Sequence, residues 1–299
     1  MNSTTTIKIE ENDTNERLDL FLCANLPEFS RSKIQKLIEN QEILVNDAKS
    51  KNGYKLREND IITLNIQDES IKLQPENIPL DIRYEDENML VINKPKNMLV
   101  HPTTKEISGT LVNALLYYCK DNLSTINGEM RPGIVHRLDR NTTGLMVVAF
   151  NRLSASFLNS SLKDTLKRRY YAIVKGILTE KEGIIKNKIA KESEMTVRRC
   201  VRNDGKDAIT KYKVVKEFGN YSLLDIELLT GRTHQIRVTF STLGHPLVGD
   251  DFYDPDYKES EELMLHSHYI EFIRPSDKKY IELDTGISDR LQHFIDLNS

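Results

Sequence analysis

Short apolar segments rich in β-branched residues recur along the chain after about residue 80 and constrain the fold more than any other feature. Six of them read as strands: MLVIN, GLMVVAF, YYAIVKG, SLLDIELL, HQIRVTF and KKYIELD. Between them, helix-like stretches occur only near 111–118 and 153–166. A regular β-α-β series needs a helix between successive strands, so this order predicts an α+β fold with a mostly antiparallel sheet.

The length of 299 residues is enough for two domains. Residues 1–14 show no core pattern and are expected to form a loose tail. Residues 15–70 combine two short helices of amphipathic pattern with the strand-like segments EILVND and DIITLNI, which predicts a small α/β domain. Residues 71–79 contain two prolines and no periodicity, as a linker does, and residues 80–299 form a domain of catalytic size.

Charge is distributed unevenly, although 42 basic and 45 acidic residues leave a net charge of only -3. Residues 31–57 hold seven basic and three acidic side chains (+4), and residues 186–216 hold ten and four (+6). Residues 250–262 compensate with seven carboxylates and one lysine. Two basic segments on a near-neutral chain favour a surface that faces a polyanion; solvated faces are the alternative.

Several classes of protein are excluded by what the sequence lacks. No window approaches the roughly 18 apolar residues that a membrane helix needs, and the N-terminal MNSTTTIKIEEN is no secretory signal, so we expect a cytoplasmic protein. The three cysteines are too far apart for a zinc knuckle and too few for a disulfide framework. Without a GxGxxG or GxxxxGK motif, nucleotide-cofactor sites have little support.

The polar cluster HRLDRNTTGL, residues 136–145, lies directly before an apolar strand. A charged cluster at the end of a strand is typical of a functional site. In an extended segment Arg137 and Asp139 share a face, and with Arg140 adjacent they should hold the carboxylate in its anionic form. An ionised aspartate can act as a nucleophile or a base, whereas the alternative is an Arg-Asp pair that only pins a loop.

Two further clusters complete a pattern that is known from a protein family. LLTGRTHQIRV carries Arg232, His234 and Arg237, and RRYYAIVKG carries Tyr170. With HRLDRNTTGL, these motifs resemble the signatures of the RluA-type RNA pseudouridine synthases. YEDENMLVINKPKNMLVHPT, LGHPLVGDDFYD and LHSHYIEFIRP are similar to other segments of that catalytic domain, in the same order. ERLDLFLCANLPEFSRSKIQKLI with EILVND resembles the S-four-like RNA-binding domain often found before it.

The resemblance implies a pseudouridine synthase fold, in which a central mixed, mostly antiparallel sheet carries an active-site cleft. It implies isomerisation of uridine to pseudouridine in RNA, with ribosomal RNA favoured and transfer RNA possible. Asp139 matches the catalytic aspartate, which attacks the ribose or assists an elimination. Tyr170 matches the active-site tyrosine that stacks on uracil, and Arg237 matches the arginine that pairs with the carboxylate.

The isomerisation oxidises nothing and keeps the departing base bound, so we expect no metal and no cofactor. An enzyme acting on a stacked base must extrude it, which calls for basic side chains against the flanking phosphates. The residues expected to contact RNA around the site are His136, Arg137, Arg140, Arg232 and His234. For the two histidines a hydrogen bond to the backbone is the alternative. In the small domain the expected contacts are Arg31, Lys33 and Lys36, for which a solvated helix face is the alternative. A monomer is the default expectation.

Two other functions remain open from the sequence. One is a non-catalytic RNA-binding or ribosome-assembly protein of the same fold, which would not need the Asp139 carboxylate. The other is a metal-dependent hydrolase, because HSH places His266 and His268 on one strand face. The sequence also departs from the family at Gln41, where glycine commonly makes a turn, so we expect a differently built turn there. The last residues are expected to add a final helix.

Overall fold

The computed structural model describes residues 5–26, 29, 31–65, 73–103, 105–120, 123, 131–161, 165–193 and 195–299. The chain divides into two compact units, Met1–Lys72 and Leu73–Ser299. The boundary predicted between residues 70 and 71 lies outside the described residues. Residues 73–79, expected to be a linker, lie within the larger unit. Asn113 Nδ2 donates to the Gln74 carbonyl oxygen (2.8 Å), and Leu73 and Ile78 pack against the core.

The smaller unit is a three-stranded antiparallel sheet, in the order β1-β3-β2, with two helices. Its elements are β1 (Thr5–Lys8), α1 (Leu18–Asn25), α2 (Arg31–Glu39), β2 (Ile43–Val45) and β3 (Ile61–Leu64). Both predicted helices and both predicted strands are confirmed. The prediction of a loose N-terminal tail was wrong for Thr5–Lys8, because an edge strand that pairs through backbone hydrogen bonds needs no apolar pattern.

A buried carboxylate joins the two helices of the smaller unit. Asp19 has no exposed side-chain surface and accepts hydrogen bonds from Arg17 Nε (2.9 Å), Arg31 Nη2 (2.9 Å) and Gln35 Nε2 (2.9 Å). The hydrogen bond from Arg17 is the largest of the effects that hold the pKa of Asp19 well below its usual range. Arg31, predicted to contact RNA, is therefore part of a structural ion pair, although half of its side chain is exposed.

The turn after α2 keeps a left-handed residue without glycine. Gln41 has φ 64°, its N–H donates to the Ile38 carbonyl (3.2 Å), and the next N–H, of Glu42, donates to the Leu37 carbonyl (2.9 Å). These two bonds form the Schellman motif that usually has glycine at this position. The prediction of a different turn was wrong, because the two hydrogen bonds offset the cost of a side chain in this conformation.

The larger unit is built on a ten-stranded sheet in the order β4-β5-β6-β12-β7-β11-β10-β8-β9, with β13 paired to β12. Its strands are β4 (Ile82–Glu85), β5 (Met89–Lys94), β6 (Thr143–Ala149), β7 (Lys167–Lys175), β8 (Glu182–Lys191), β9 (Arg199–Val201), β10 (Lys206–Phe218), β11 (Tyr221–Leu228), β12 (Leu265–Ile273) and β13 (Tyr280–Asp284). Its helices are α3 (Leu111–Cys119), α4 (Arg152–Ser161), α5 (Gln235–Thr242) and α6 (Asp289–Asn298). The predicted α+β fold with a mixed, mostly antiparallel sheet is confirmed, and so is the final helix.

The parallel pairing of β6 with β12 joins the two halves of this sheet. The register pairs Thr143 with His266 and Gly144 with Ser267. Gly144 has φ 114°, and a Cβ built on it would overlap the Ser267 carbonyl oxygen. Only glycine allows the two backbones to approach this closely.

HQIRVTF was predicted as a strand, but most of it forms α5. Polar and apolar residues alternate along QIRVTF, which is the period of a strand and the reason for the prediction. The six residues are nonetheless all buried in a helix, where the polar ones find partners inside the fold, as Arg237 does with Asp250. His234, the residue before the helix, adopts the left-handed conformation with φ 57° and turns the chain into it.

Candidate active site

A cavity of about 580 Å³ opens where the loop before β6, strand β7 and helix α5 meet. The loop contributes Asp139, β7 contributes Arg168 and Tyr170, and α5 contributes Arg237. Arg168 and Tyr170 are two residues apart on β7 and therefore face the same side of the sheet. Loop 229–234, between β11 and α5, forms another wall. The three polar clusters of the sequence thus meet in one cavity.

Asp139 keeps 18% of its side chain exposed. Its Oδ2 lies 3.8 Å from Arg237 Nη1 and 4.0 Å from His234 Nε2. Both distances are longer than a hydrogen bond, so the Arg237 cation stabilises the charge of the carboxylate and both residues leave its oxygen lone pairs available for chemistry. The structure differs here from the sequence expectation, because Arg140 pairs instead with Glu106, and Arg137 Nη1 contacts His101 Nε2 at 3.5 Å.

Arg237 is held in place by two other carboxylates. Asp250, fully buried, accepts from Arg237 Nε (2.8 Å) and Nη2 (2.6 Å), and Asp251 accepts a second bond from Nη2 (2.6 Å). The guanidinium also lies over the rings of Phe252 and Tyr253, at 5.2 and 5.4 Å from their centroids. Although burial alone would lower it, the pKa of Arg237 is raised by Asp250, so the charge facing Asp139 is permanent.

His234 and Gln235 shape the wall beside the carboxylate. The Nδ1 of His234 hydrogen-bonds to the Tyr253 hydroxyl (2.9 Å), and burial lowers the pKa of this imidazole. Gln235 Oε1 accepts the Arg232 N–H (2.9 Å), and its Nε2 donates to the Ile209 carbonyl (3.1 Å). These bonds tie loop 229–234 to β10 and fix the left-handed residue at the start of α5.

Tyr170 is 4% exposed and lines the cavity. Burial raises its pKa, while Arg168 and a hydrogen bond with Ser267 act in the opposite direction. The phenol is therefore neutral at physiological pH, and its hydroxyl can donate a proton to a bound group or accept one from it. Tyr171 points to the other face of the sheet and stacks on His268 with ring centroids 3.8 Å apart, as its alternation with Tyr170 requires.

His136 is buried, and its Nε2 accepts the Val147 N–H at 3.0 Å. Burial lowers its pKa to about 3, so the ring is neutral, and the accepting role of Nε2 places its proton on Nδ1. The structure therefore shows His136 in a backbone hydrogen bond that supports the strand next to Asp139, and its contact with RNA stays a prediction.

The other predicted RNA contacts of this unit lie at the rim or outside the cavity. Arg137 and Arg232 line its opening, and Arg232 Nε donates to the Asp207 carbonyl (2.9 Å). Arg140 is not among the lining residues. In the smaller unit, Lys33 and Lys36 lie on the exposed face of α2.

Comparison with known proteins decides the family. Residues 88–242 match the sequence profile of the family described as RNA pseudouridylate synthase. The chain belongs to this family. Residues 16–62 match the S4 domain. Both matches confirm the resemblances seen in the sequence.

Relatives of similar length support the assignment. This pseudouridine synthase is 36% identical over 293 residues to the "Uncharacterized RNA pseudouridine synthase YlyB" of Bacillus subtilis, covering 97% of this chain and 96% of that protein. It is 36% identical over 295 residues to the "Ribosomal large subunit pseudouridine synthase D" of Zymomonas mobilis, covering 92% of each chain. It also resembles the structure of "Human RNA Pseudouridylate Synthase Domain Containing 1", with 27% identity and a TM-score of 0.57, over 71% of this chain and 84% of that one.

The protein is thus an isomerase that acts on RNA. In the part of the chain that the structure describes, no helix is long and apolar enough to cross a membrane. Among the same residues, no three His, Cys, Asp or Glu side chains come together as a metal site would require. His266 hydrogen-bonds to Thr143 Oγ1 (2.8 Å) and Thr285 Oγ1 (3.0 Å), and His268 Nδ1 to Asp284 (2.9 Å).

The structure shows where the two charged segments of the larger unit lie. The basic segment 186–216 folds mainly into β8, β9 and β10, strands that were not predicted. On β8, Lys186 and Lys188 alternate with Asn187, whose Nδ2 donates to Thr239 of α5. The two lysines therefore lie on the face of the sheet opposite to α5. In the acidic segment 250–262, Asp250 and Asp251 form ion pairs with Arg237. Part of the negative charge of this segment is therefore neutralised within the fold.

The sequence did not indicate two groups of residues that shape the site. Asp250 and Asp251 are distant in sequence from Arg237, and no local pattern marks them as its partners. Lys94 is fully buried, and its Nζ donates to the carbonyls of Met98 (3.0 Å) and Arg140 (3.0 Å), which fixes the loop beside Asp139. Arg168 had a usable signal, because a residue two positions before Tyr170 on a strand must share its face.

Proposed function

We propose that this pseudouridine synthase uses Asp139 as its catalytic carboxylate on uridines of large-subunit ribosomal RNA. The observation that carries the first part is the position of the carboxylate. It is partly exposed in a cavity with a buried tyrosine, and it faces the Arg237 cation without accepting a hydrogen bond from it. A nucleophile or base needs both features, since exposure lets the substrate reach the oxygen and free lone pairs let it react.

The surrounding residues support this role. Arg237 is fixed at 3.8 Å from Asp139 Oδ2 because Asp250 holds its other nitrogens. Tyr170 offers a ring on which an extruded uracil can stack, and its neutral hydroxyl can relay a proton. Two routes use the carboxylate: attack on the ribose C1′, or proton removal that assists an elimination. Both need Asp139 to be ionised and accessible.

The RNA target is inferred from the relatives and from charge. The Zymomonas mobilis relative carries the name of a large-subunit ribosomal enzyme, and it covers nearly the whole chain. The S4 domain adds a second basic surface, on which Lys33 and Lys36 are exposed. We infer that the protein acts in the cytoplasm as a monomer, where such RNA is assembled, and that Arg137 and Arg232 contact RNA at the cavity rim.

The role of Asp139 is tested with Asp139→Asn, which keeps the shape of the side chain and removes its charge. Single-turnover formation of pseudouridine in ribosomal RNA fragments should fall by at least about 10⁴-fold, because the reacting group is lost. RNA affinity should stay within about threefold. Glu106→Gln is the matched control: its carboxylate pairs with Arg140 outside the cavity, and we expect nearly wild-type rates. Equal rates for Asp139→Asn and wild type would refute the assignment.

The target is tested by mapping pseudouridines in total RNA from cells with and without the gene. Loss of one or more large-subunit positions is expected. Loss only in transfer RNA would refute the ribosomal target, and no loss in any RNA would favour a binding protein. Wild-type activity that disappears with a chelator and returns with metal would favour a metal-dependent enzyme.

A further inference from the structure

Among the described residues, three cationic side chains are classed as buried: Lys94, Arg168 and Arg237. Lys94 donates to backbone carbonyls, and Arg237 is paired with Asp250. Arg168 is different. It is 7% exposed, its Nε has no hydrogen-bond partner, and no carboxylate of the described residues forms an ion pair with it. The guanidinium carries a positive charge, so the site contains a largely buried charge without a carboxylate partner.

This charge lies in the wall of the catalytic cavity. Arg168 lines it together with Tyr170, and its charge acts on the ionisation of both Tyr170 and His136. On the opposite side, a Cβ at Gly231 would stand 3.2 Å from Arg168 Nη1, so bare backbone packs against the guanidinium. Burying an arginine without a carboxylate partner raises the free energy of the folded protein. This is understandable if an anion binds next to the arginine during the reaction.

Two anions could reach this cavity: an RNA phosphate, and the uracil base itself. Phosphates belong to the backbone and stay at the opening, where Arg137 and Arg232 are the more exposed cations. The extruded base goes deeper, onto the buried Tyr170. Arg168 is on the same face of the same strand, so it lies beside the position that the base takes. The depth of Arg168 therefore favours the base over the phosphate.

We propose that Arg168 stabilises the uracil anion that forms when the glycosidic bond breaks. This inference rests on the proposed role of Asp139. When the C1′–N1 bond breaks, its electron pair leaves with uracil, and the negative charge spreads over N1, O2 and O4. Either C1′ bonds to the Asp139 carboxylate, or C2′ loses a proton to Asp139 and a C1′–C2′ double bond forms. The base then turns and C5 bonds to C1′, while the ester bond to Asp139 breaks or Asp139 returns the proton to C2′. The C5 proton is lost and N1 regains a proton, so the product is an isomer.

A charge that exists only after bond cleavage is stabilised by a group that is already in place and needs no reorganisation. Removal of one such group typically costs about 10²–10³ in rate. Arg168→Met keeps length and removes the charge, so single-turnover conversion of uridine RNA should fall by about that factor. Arg168→Lys keeps the charge and should retain a rate within roughly tenfold of wild type. The Kd for RNA should change by less than about threefold in both.

The decisive measurement compares uridine RNA with RNA carrying 5-fluorouridine at the target position. Fluorine withdraws electrons and makes the departing base anion more stable by itself. If Arg168 stabilises that anion, the rate penalty of Arg168→Met should be at least about tenfold smaller on the fluorinated RNA. Conversion is read as loss of the N-linked nucleoside after complete nuclease digestion. Arg232→Met is the matched control: an exposed rim arginine should weaken RNA binding equally for both substrates.

Three results would overturn the proposal: an equal penalty of Arg168→Met on both RNAs, no penalty on either, or a weakened Kd with an unchanged single-turnover rate. The last would assign Arg168 to a phosphate. Near-ultraviolet circular dichroism checks folding; should Arg168→Met be misfolded, Arg168→Lys decides, since a loss of 10² or more despite the retained charge contradicts an electrostatic role. Activity of Asp139→Asn would refute the proposed catalytic aspartate, whereas an inactive Asp139→Asn with unaffected Arg168 variants refutes this inference alone.

Discussion

Replacing Asp250 by asparagine removes the charge that holds Arg237, with almost no change in shape. Asp250 Oδ1 accepts from Arg237 Nη2 and from the N–H groups of Phe252 and Tyr253 (3.0 Å each), and Oδ2 accepts from Arg237 Nε. An asparagine that keeps the first oxygen must turn its NH₂ toward Arg237 Nε. One charge-assisted bond is then lost, two donors oppose each other, and a guanidinium that is 4% exposed loses its main partner.

Breaking a buried ion pair by removing one partner costs about 3–5 kcal/mol. In a domain of this size each kcal/mol lowers the melting temperature by about 2–4 °C, so Asp250→Asn should lower it by about 6–20 °C. Tyrosine circular dichroism reports this unit well, because all of the 12 tyrosines except Tyr54 follow residue 72. The melting curve of the full chain is therefore the assay.

Asp251→Asn is the matched control for Asp250→Asn. Its carboxylate also accepts from Arg237 (2.6 Å), but 40% of its side chain is exposed. A solvated ion pair contributes about 0–1 kcal/mol, so the midpoint should move by at most about 4 °C. Equal shifts for the two variants, or a shift below about 3 °C for Asp250→Asn, would show that burial of the pair does not control its contribution.

Three smaller predictions concern other parts of the chain. Asp19→Asn weakens the charge-assisted bonds from Arg17 and Arg31 and should destabilise the smaller unit by about 2 kcal/mol, seen as faster hydrogen exchange of α1 and α2 in the full chain. Gln41→Gly should stabilise the same unit by up to about 1 kcal/mol, seen as slower exchange, because glycine tolerates φ 64°. Gln41→Ala should give no gain in stability. Since the pKa of His136 is lowered to about 3 in the folded state, the unfolded chain alone binds this proton below about pH 6.5, and stability falls as the pH drops. Between pH 6 and 4, the free energy of unfolding measured in urea should fall more steeply for the wild type than for His136→Gln, by about 1.4 kcal/mol per pH unit. Equal slopes for the two proteins would contradict a neutral buried imidazole.

Much of the site could be foreseen because its residues flank regular strands. Asp139 precedes β6 and Tyr170 lies within β7, so strand patterns placed each of them beside or within a strand. Their chemical roles came from the family resemblance, since spacing alone left a structural Arg-Asp pair open.

The remaining features depend on contacts between distant segments. Arg237 lies on a helix whose first six residues are all buried, and the alternation of polar and apolar residues in that helix is the pattern of a strand. The expected neutralisation of Asp139 by Arg140 failed, because Arg140 reaches Glu106, 34 residues away. Local charge counts likewise could not show that Asp250 would form a buried ion pair with Arg237.

The close approach of β6 and β12 makes the distance between the proposed catalytic residues Asp139 and Tyr170 depend on a single missing side chain. Asp139 is tethered to the half of the sheet that contains β6, and Tyr170 to the half that contains β7, while β12 bridges them. At this bridge only Gly144 lets the halves close. A single methyl group there would push the two halves apart and separate the Asp139 carboxylate from the Tyr170 phenol without touching either, and we expect it to reduce activity while leaving both proposed catalytic residues unchanged.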